Sequence, residues 1–170
     1  MKTGHVAQVG NRRFPMNNET VLIEAVLVPD SERLAFLPSL LGSSCVYVEN
    51  LVFNWMRKLS PELQPDFRMH RLDFQEMHYD GGVWEFYRLS NGGFFMAPAG
   101  RESYRVSVAG NYFDDELSGN AAGIVATLFA LNQMTHTNHP HTQKCYDLYW
   151  LLRDYASQLP ETNMIRAAID

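Results

Sequence analysis

The sequence predicts an α+β fold, in which an antiparallel meander of three or four strands packs against several helices. Two observations lead to this prediction. Short runs rich in aromatic and β-favouring residues, at 83–89 and 94–97, flank a turn signal and are followed by an alternating run at 103–109. Segments with apolar residues every three or four positions lie mostly outside this region, so helices and strands are segregated along the chain.

Composition indicates a folded cytoplasmic protein. The 170 residues are 46% hydrophobic and fit one domain, which we place at 20–170, after a poorly ordered leader at 1–19. The longest apolar run, at 121–131, is shorter than the roughly 18 residues that a membrane span needs. Cys45 and Cys145 have no CxxC spacing, so free thiols in a reducing compartment are expected.

The first half of the chain predicts a strand and two helices. Residues 20–28 alternate as in a strand, and Pro29 ends them. A helix at 32–41 follows and ends at Gly42, and the apolar spacing at 46–59 predicts a second helix. Residues 60–79 mix prolines, charges and aromatic residues, and we interpret them as an insertion or a divergent loop.

A β-hairpin occupies the centre of the sequence. Its strands at 83–89 and 94–97 are joined by a turn containing Asn91 and Gly92, and this pair is typical of a type I′ turn with positive φ at both central residues. Pro98 ends the second strand because it cannot donate a ladder hydrogen bond.

The last third predicts strands and then helices. The alternating run at 103–109 indicates a third strand, and 112–117 a short fourth one. Ser118 is a suitable N-cap for a helix that reaches about Met134 and is apolar all round, so this helix should be central and buried. A long helix at 141–159, with Pro140 near its first turn, precedes a short one at 161–169.

The hairpin also carries a family resemblance. The pattern GG-x-W-x-FY-x-LSNGGF-x-MAP at 81–98 resembles the ArdB/KlcA antirestriction family. Other matching segments extend the resemblance over most of the chain from about Val26 onward, and they are 27–30, 33–34, 36–38, Gly42, 48–50, 55–56, 104–106, 121–131, 152–156 and 168–170. Residues 60–79 depart from the family pattern.

The resemblance implies a function. Members of this family are antirestriction proteins, usually carried on plasmids and other mobile DNA, that protect incoming DNA from type I restriction-modification systems. It implies a type I restriction enzyme or an associated host protein as partner. The residues themselves show no catalytic constellation and no cofactor motif, so we predict a protein that is not an enzyme and needs no cofactor.

One cluster of residues supports an alternative. His136, His139 and His141 are spaced closely enough to hold a metal ion, which would make the protein a metal-dependent hydrolase-like enzyme. An exposed polar connection between two helices explains the same residues. Metal-binding histidines usually sit on regular elements with orienting partners, so we expect no metal site here.

The hairpin itself supplies a candidate interaction surface, formed by Trp84, Glu85, Tyr87, Arg88 and Asn91. Alternation places Trp84 and Arg88 on one face of the first strand, with Glu85 and Tyr87 on the other. Tyrosine is enriched at protein interfaces, and a position at the edge of the core explains the pattern equally well.

Charge excludes one mechanism. Imitating DNA requires long columns of carboxylates, because duplex DNA carries one charge per roughly 1.7 Å of its axis. The chain has 19 acidic and 14 basic residues, a net charge of −5, and its only tight acidic run is at 114–116. We therefore expect neither DNA mimicry nor direct DNA binding, which needs a basic surface, and we predict a protein–protein or indirect mechanism.

Overall fold

The computed structural model describes residues 21–60 and 84–170. The predicted leader at 1–19 and the segment at 61–79 lie outside these ranges. The elements in chain order are β1 (Ala25–Leu27), α1 (Arg33–Leu41), a 3₁₀ turn (Gly42–Ser44), α2 (Cys45–Leu59), β2 (Trp84–Leu89), β3 (Phe94–Pro98), β4 (Ser103–Val108), β5 (Phe113–Ser118), α3 (Gly119–Thr135), α4 (Thr142–Ser157) and α5 (Thr162–Ile169).

The α+β class is confirmed, and the strands divide into two antiparallel sheets. One sheet has the order β1-β2-β3, and the other consists of β4 and β5. β4 does not continue the meander because α3 covers the outer edge of β3. There the backbone N–H of Met96 donates a hydrogen bond to the hydroxyl of Thr127, at 3.2 Å. A helix side chain thus occupies a donor that a further strand would otherwise use.

β1 is shorter than the sequence predicted but is held on both sides. It pairs with β2 in a register that sets Ala25 opposite Leu89 and Leu27 opposite Tyr87. Just before it, the side-chain amide of Gln158 hydrogen-bonds both backbone groups of Ile23. The first strand therefore depends on α4 as well as on β2.

The β2–β3 turn differs from the predicted type I′ turn. Only Gly92 has a positive φ, at +91°, whereas Asn91 does not. The N–H of Gly92 donates to the carbonyl of Leu89 at 3.0 Å, which describes a turn followed by a glycine bulge. The type I′ prediction is wrong because the side-chain oxygen of Asn91 accepts from the N–H of Gly93, at 3.0 Å, and supports the other geometry.

α3 is the central helix, as predicted. Ser118 caps it by accepting a hydrogen bond from the N–H of Ala121, at 3.1 Å. Ala122, Ile124, Val125 and Ala126 are completely buried, and the helix packs against α2, α4 and β3. Its small residues allow the backbone of β3 to approach closely, and this position fixes the hairpin.

The stretch Arg33–Leu59 is apolar and long enough to cross a membrane by composition alone, a test that core helices of soluble proteins also pass. In the structure it is broken at Gly42, which has a φ of +52°. Leu41, Val48 and Val52 are fully buried within the core. These residues therefore serve the fold on the inner side of α1 and α2.

Candidate functional site

The first face of β2 is covered by α1 and α2. The Trp84 ring is 6% exposed and packs edge-on against Phe53, with ring centroids 4.8 Å apart. The Arg33 guanidinium lies over the Phe86 ring, 5.1 Å from its centroid, and donates to the carbonyl oxygen of Trp84 at 2.8 Å. Trp84 therefore contributes to the core, so contact with a partner would fall to the other residues of the predicted surface.

The opposite face carries a stack of three aromatic rings. Tyr87 stacks on Phe95 with centroids 4.6 Å apart, and Phe95 stacks on Tyr155 at 5.8 Å. The hydroxyl of Tyr87 donates to a carboxylate oxygen of Glu85 at 2.6 Å. Burial, with the hydrogen bond and charge of Glu85, raises the pKa of Tyr87 to about 12. The phenol is therefore neutral at physiological pH and holds the carboxylate of Glu85 in place.

Glu85 also lines a polar cleft of about 300 Å³ between the end of β3, the start of β4 and the first turn of α3. The other lining residues are Pro98, Ala99, Arg101, Glu102, Ser118, Gly119 and Asn120. Behind the cleft, the hydroxyl and the N–H of Ser118 both donate to the carboxylate of Glu161. Carboxylates, an arginine and an amide in an open cleft suit the binding of polar groups from a partner.

Of the residues that line this cleft, the sequence predicted Glu85 as part of an interaction surface but did not indicate Arg101, Glu102 or Asn120. These residues meet Glu85 only because Pro98 turns the chain away from the sheet and α3 returns beside it. The predicted N-cap at Ser118 could have placed Asn120 in the first turn of the helix, next to the end of β3. Nothing local in the sequence indicates that Glu102 faces the same space.

Arg88 and Asn91 occupy the far end of the hairpin and differ in role. Arg88 is exposed, pairs with Glu32 at 2.7 Å and lies over the Phe36 ring at 5.3 Å from its centroid. The side-chain N–H of Asn91 donates to the carbonyl oxygen of Leu151 in α4, at 2.8 Å. Asn91 therefore attaches the turn to α4, whereas the guanidinium of Arg88 is accessible from solvent.

The structure separates the three clustered histidines. The Nδ1 atoms of His139 and His141 lie 2.6 Å and 2.8 Å from the hydroxyl oxygen of Ser44, which is completely buried. His136 instead bonds within its own helix end, with Nδ1 2.9 Å from the carbonyl oxygen of Asn132. His139 and His141 thus join the α3–α4 connection to the start of α2, and the described residues contain no group of three or more His, Cys, Asp or Glu side chains placed to hold a metal.

The acidic run at 114–116 is partly neutralised by its neighbour strand. Both carboxylate oxygens of Asp114 accept from the guanidinium of Arg105, at 2.9 Å and 2.7 Å. This hydrogen-bonded pairing lowers the pKa of Asp114. Asp115 lies opposite Val106 and Glu116 opposite Arg105 in the ladder, so the run lies within one strand of six residues.

Comparison with known proteins agrees with this arrangement. The profile of a family described as antirestriction protein matches residues 77–170. A KlcA antirestriction protein of Escherichia coli is 41% identical and covers 87% of this chain and 94% of its own length. A second KlcA protein of the same species is 37% identical over 91% of this chain.

The fold has a solved counterpart. It is a structure from work on the KlcA and ArdB proteins, which are described as showing a novel fold and antirestriction activity against type I DNA restriction systems in vivo but not in vitro. It matches with a TM-score of 0.71 and 38% identity, covering 87% of this chain and 95% of its own. On these matches in sequence and fold, the chain belongs to the antirestriction protein family.

Proposed function

We propose that this protein acts in the cytoplasm to protect incoming plasmid or phage DNA from type I restriction-modification systems. The observation that supports this most strongly is the likeness in fold, at 38% identity, to proteins with antirestriction activity against type I systems. A likeness that covers 95% of the compared chain favours the same activity rather than the fold alone.

The mechanism we propose is a contact with another protein, without catalysis. The related proteins act in vivo but not in vitro, which indicates that a cellular component missing from purified reactions takes part. The hairpin presents accessible polar groups that suit a binding surface. They are the carboxylate of Glu85, which lines the polar cleft, and the guanidinium of Arg88. This component is the restriction enzyme in its cellular state or a host protein associated with it.

DNA mimicry is not the mechanism we propose. A mimic must present carboxylates along a path that follows phosphate spacing. In the described structure the densest acidic run belongs to a strand of six residues, and Arg105 pairs with one of its carboxylates. The net charge of the chain, −5, also opposes direct binding of nucleic acid, because the phosphates are negatively charged.

The decisive experiment is phage plating. Unmodified phage is plated on a host carrying a type I restriction system, with and without expression of this protein, and on a non-restricting host as control. We expect the plating efficiency on the restricting host to rise toward that on the control. An unchanged plating efficiency at good expression of folded protein would contradict the proposed function.

A further inference from the structure

The tip of the β4–β5 hairpin holds Tyr112 in an unusual state. Its φ is +62°, and it is the only non-glycine residue with a positive φ in the described ranges. Its side chain is 92% exposed to solvent. Left-handed backbone is disfavoured for side chains with a Cβ and is normally occupied by glycine or asparagine. The position therefore combines backbone strain with an aromatic ring directed into water.

The turn contains residues better suited than Tyr112 to a positive φ. The two residues that precede Tyr112 are Gly110 and Asn111, the residue types that tolerate a positive φ, yet neither adopts it. Because the Tyr112 ring is exposed, it gains almost no free energy from burial that could offset the cost of the strained backbone. Stability of the fold thus does not account for a tyrosine here.

The tip is nevertheless rigidly supported. The side-chain N–H₂ of Asn111 donates to the carbonyl oxygens of Ala167 and Ala168 at the end of α5, both at 3.0 Å. Its side-chain oxygen accepts from the N–H of Phe113 at 3.1 Å. These bonds fix the backbone on both sides of Tyr112, so the direction in which its Cβ leaves the chain is set before any partner arrives. Such preorganisation reduces the entropy lost on binding.

We propose that Tyr112 is an interface anchor whose ring inserts into an apolar pocket of a protein partner. Backbone strain at an exposed residue is typical of ligand clamps and binding loops. Tyrosine is among the residue types that dominate binding energy at protein interfaces, and its ring becomes ordered there at a small entropic cost. The proposal deepens the proposed function, since it names a contact for the cellular component through which protection is achieved.

Charge selects a protein partner over nucleic acid or membrane. A solvent-exposed aromatic ring can also stack on bases, but stacking proteins surround it with positive charge that follows the phosphates. Here the strand that leaves Tyr112 carries Asp114, Asp115 and Glu116, of which Arg105 pairs with Asp114, and the chain as a whole has a net charge of −5. Phosphates and anionic lipid headgroups are repelled by such surroundings, whereas an apolar protein pocket is not.

The test separates strain from function. Tyr112→Asn places a residue suited to a positive φ at the tip, so we expect its melting temperature to equal that of the wild type or to rise by about 2–4 °C. We expect its protection of unmodified phage to fall at least tenfold at equal expression. Tyr112→Phe keeps the ring and should retain most of the protection. Tyr146→Ala is the matched control, because it removes another exposed aromatic side chain, 49% exposed, from a regular helix.

The outcomes are distinct. Full protection by folded Tyr112→Asn, or equal loss in Tyr112→Phe and Tyr112→Asn, overturns the proposal while leaving the proposed function intact. If the asparagine variant does not fold, Tyr112→Gly gives the same test with the other residue type that accepts this backbone. If the wild type itself fails to protect, the proposed function fails. Photo-crosslinking in cells tests the contact directly, with p-benzoylphenylalanine placed at position 112 and, as control, at position 146. We expect a protein adduct from position 112 that position 146 does not give, and the lack of such an adduct overturns the proposal.

Discussion

Gly123 of α3 lies so close to Met96 of β3 that a Cβ added to the glycine would come within 2.2 Å of the carbonyl oxygen of Met96. The same added atom would lie 2.6 Å from the Cα of Ala97. Backbone of the central helix therefore packs directly on backbone of the hairpin. This closeness also brings Thr127, one helical turn further, within reach of the N–H of Met96.

Substitution of Gly123 should be severely destabilising. Gly123→Leu places a whole side chain where even one carbon does not fit, and overpacking costs about 1–3 kcal/mol or more. Gly123→Ala should already lower the melting temperature, because the obstructing atoms belong to backbone. Gly110→Ala is the control, since nothing lies within 4 Å of an added Cβ there. A melting temperature of Gly123→Leu within a degree of wild type would show that this packing is wrong.

The leader is expected to be dispensable. Residues 1–19 contain no buried pattern, so their deletion should leave a folded protein that still protects phage DNA. Circular dichroism and plating efficiency measure the two properties separately. Insoluble protein, or folded protein without protection, would assign the leader a role that the sequence does not indicate.

Neutralising the acidic run tests the mechanism. We expect the combined variant Asp114→Asn, Asp115→Asn and Glu116→Gln to keep its protective activity, because the run is short and Arg105 already pairs with Asp114. Glu85→Lys and Arg88→Glu should each reduce plating efficiency, because they reverse charges at the accessible part of the hairpin. Circular dichroism controls for folding in every case. Loss of protection in the neutralised variant, with both hairpin variants active, would favour DNA mimicry instead.

The half-buried phenol of Tyr87 predicts a dependence of stability on alkaline pH. Its pKa is raised from 10.0 to about 12 in the folded protein, so the folded state holds this proton more tightly than the unfolded state. Its contribution is fully present below pH 10 and is lost as the pH rises through about 12.

Urea unfolding between pH 9 and 11.5 measures this effect, and Tyr87→Phe isolates it from other groups that titrate in the same range, such as Tyr155, whose pKa is also raised by burial. We expect the free energy of unfolding to fall more steeply with pH in the wild type than in the variant. Parallel curves for the two proteins would mean that the phenol is not held as described.

Local patterns in the sequence predicted the elements well. Periodicity predicted α1 and α2 to within a residue of their observed ends, and Ser118 was identified as the N-cap of α3. These features depend on neighbours a few residues apart, which a single sequence displays directly. Cys145 similarly fell on the buried stripe of α4, where burial raises the pKa of its thiol to about 11.

Tertiary packing decided what the sequence could not show. Pairing of β4 with β5 alone follows from Thr127 occupying the edge of β3, a contact between residues 31 positions apart. The cleft beside Glu85 is lined by three separate segments of the chain. The positive φ at the β4–β5 turn falls on Tyr112, although Gly110 and Asn111 beside it are the residue types that favour such a backbone. The predicted interaction surface of Trp84, Glu85, Tyr87, Arg88 and Asn91 stays a prediction, with Trp84 and Asn91 now seen to serve the packing of the hairpin.

The hydrogen bonds between the side chain of Gln158 and the backbone of Ile23 join residues 135 positions apart. Glu24 depends in the same way on Ser90, through one hydrogen bond in each direction, at 3.0 Å and 2.9 Å. Loop closure of this length is slow compared with the formation of a helix or a hairpin. Synthesis proceeds from the N-terminus, so β1 can pair with β2 once about half of the chain has been made, whereas the hydrogen bonds from Gln158 to Ile23 can form only after almost all of it. In the cell, β1 is thus made before the other described strands, but its attachment is completed only near the end of synthesis.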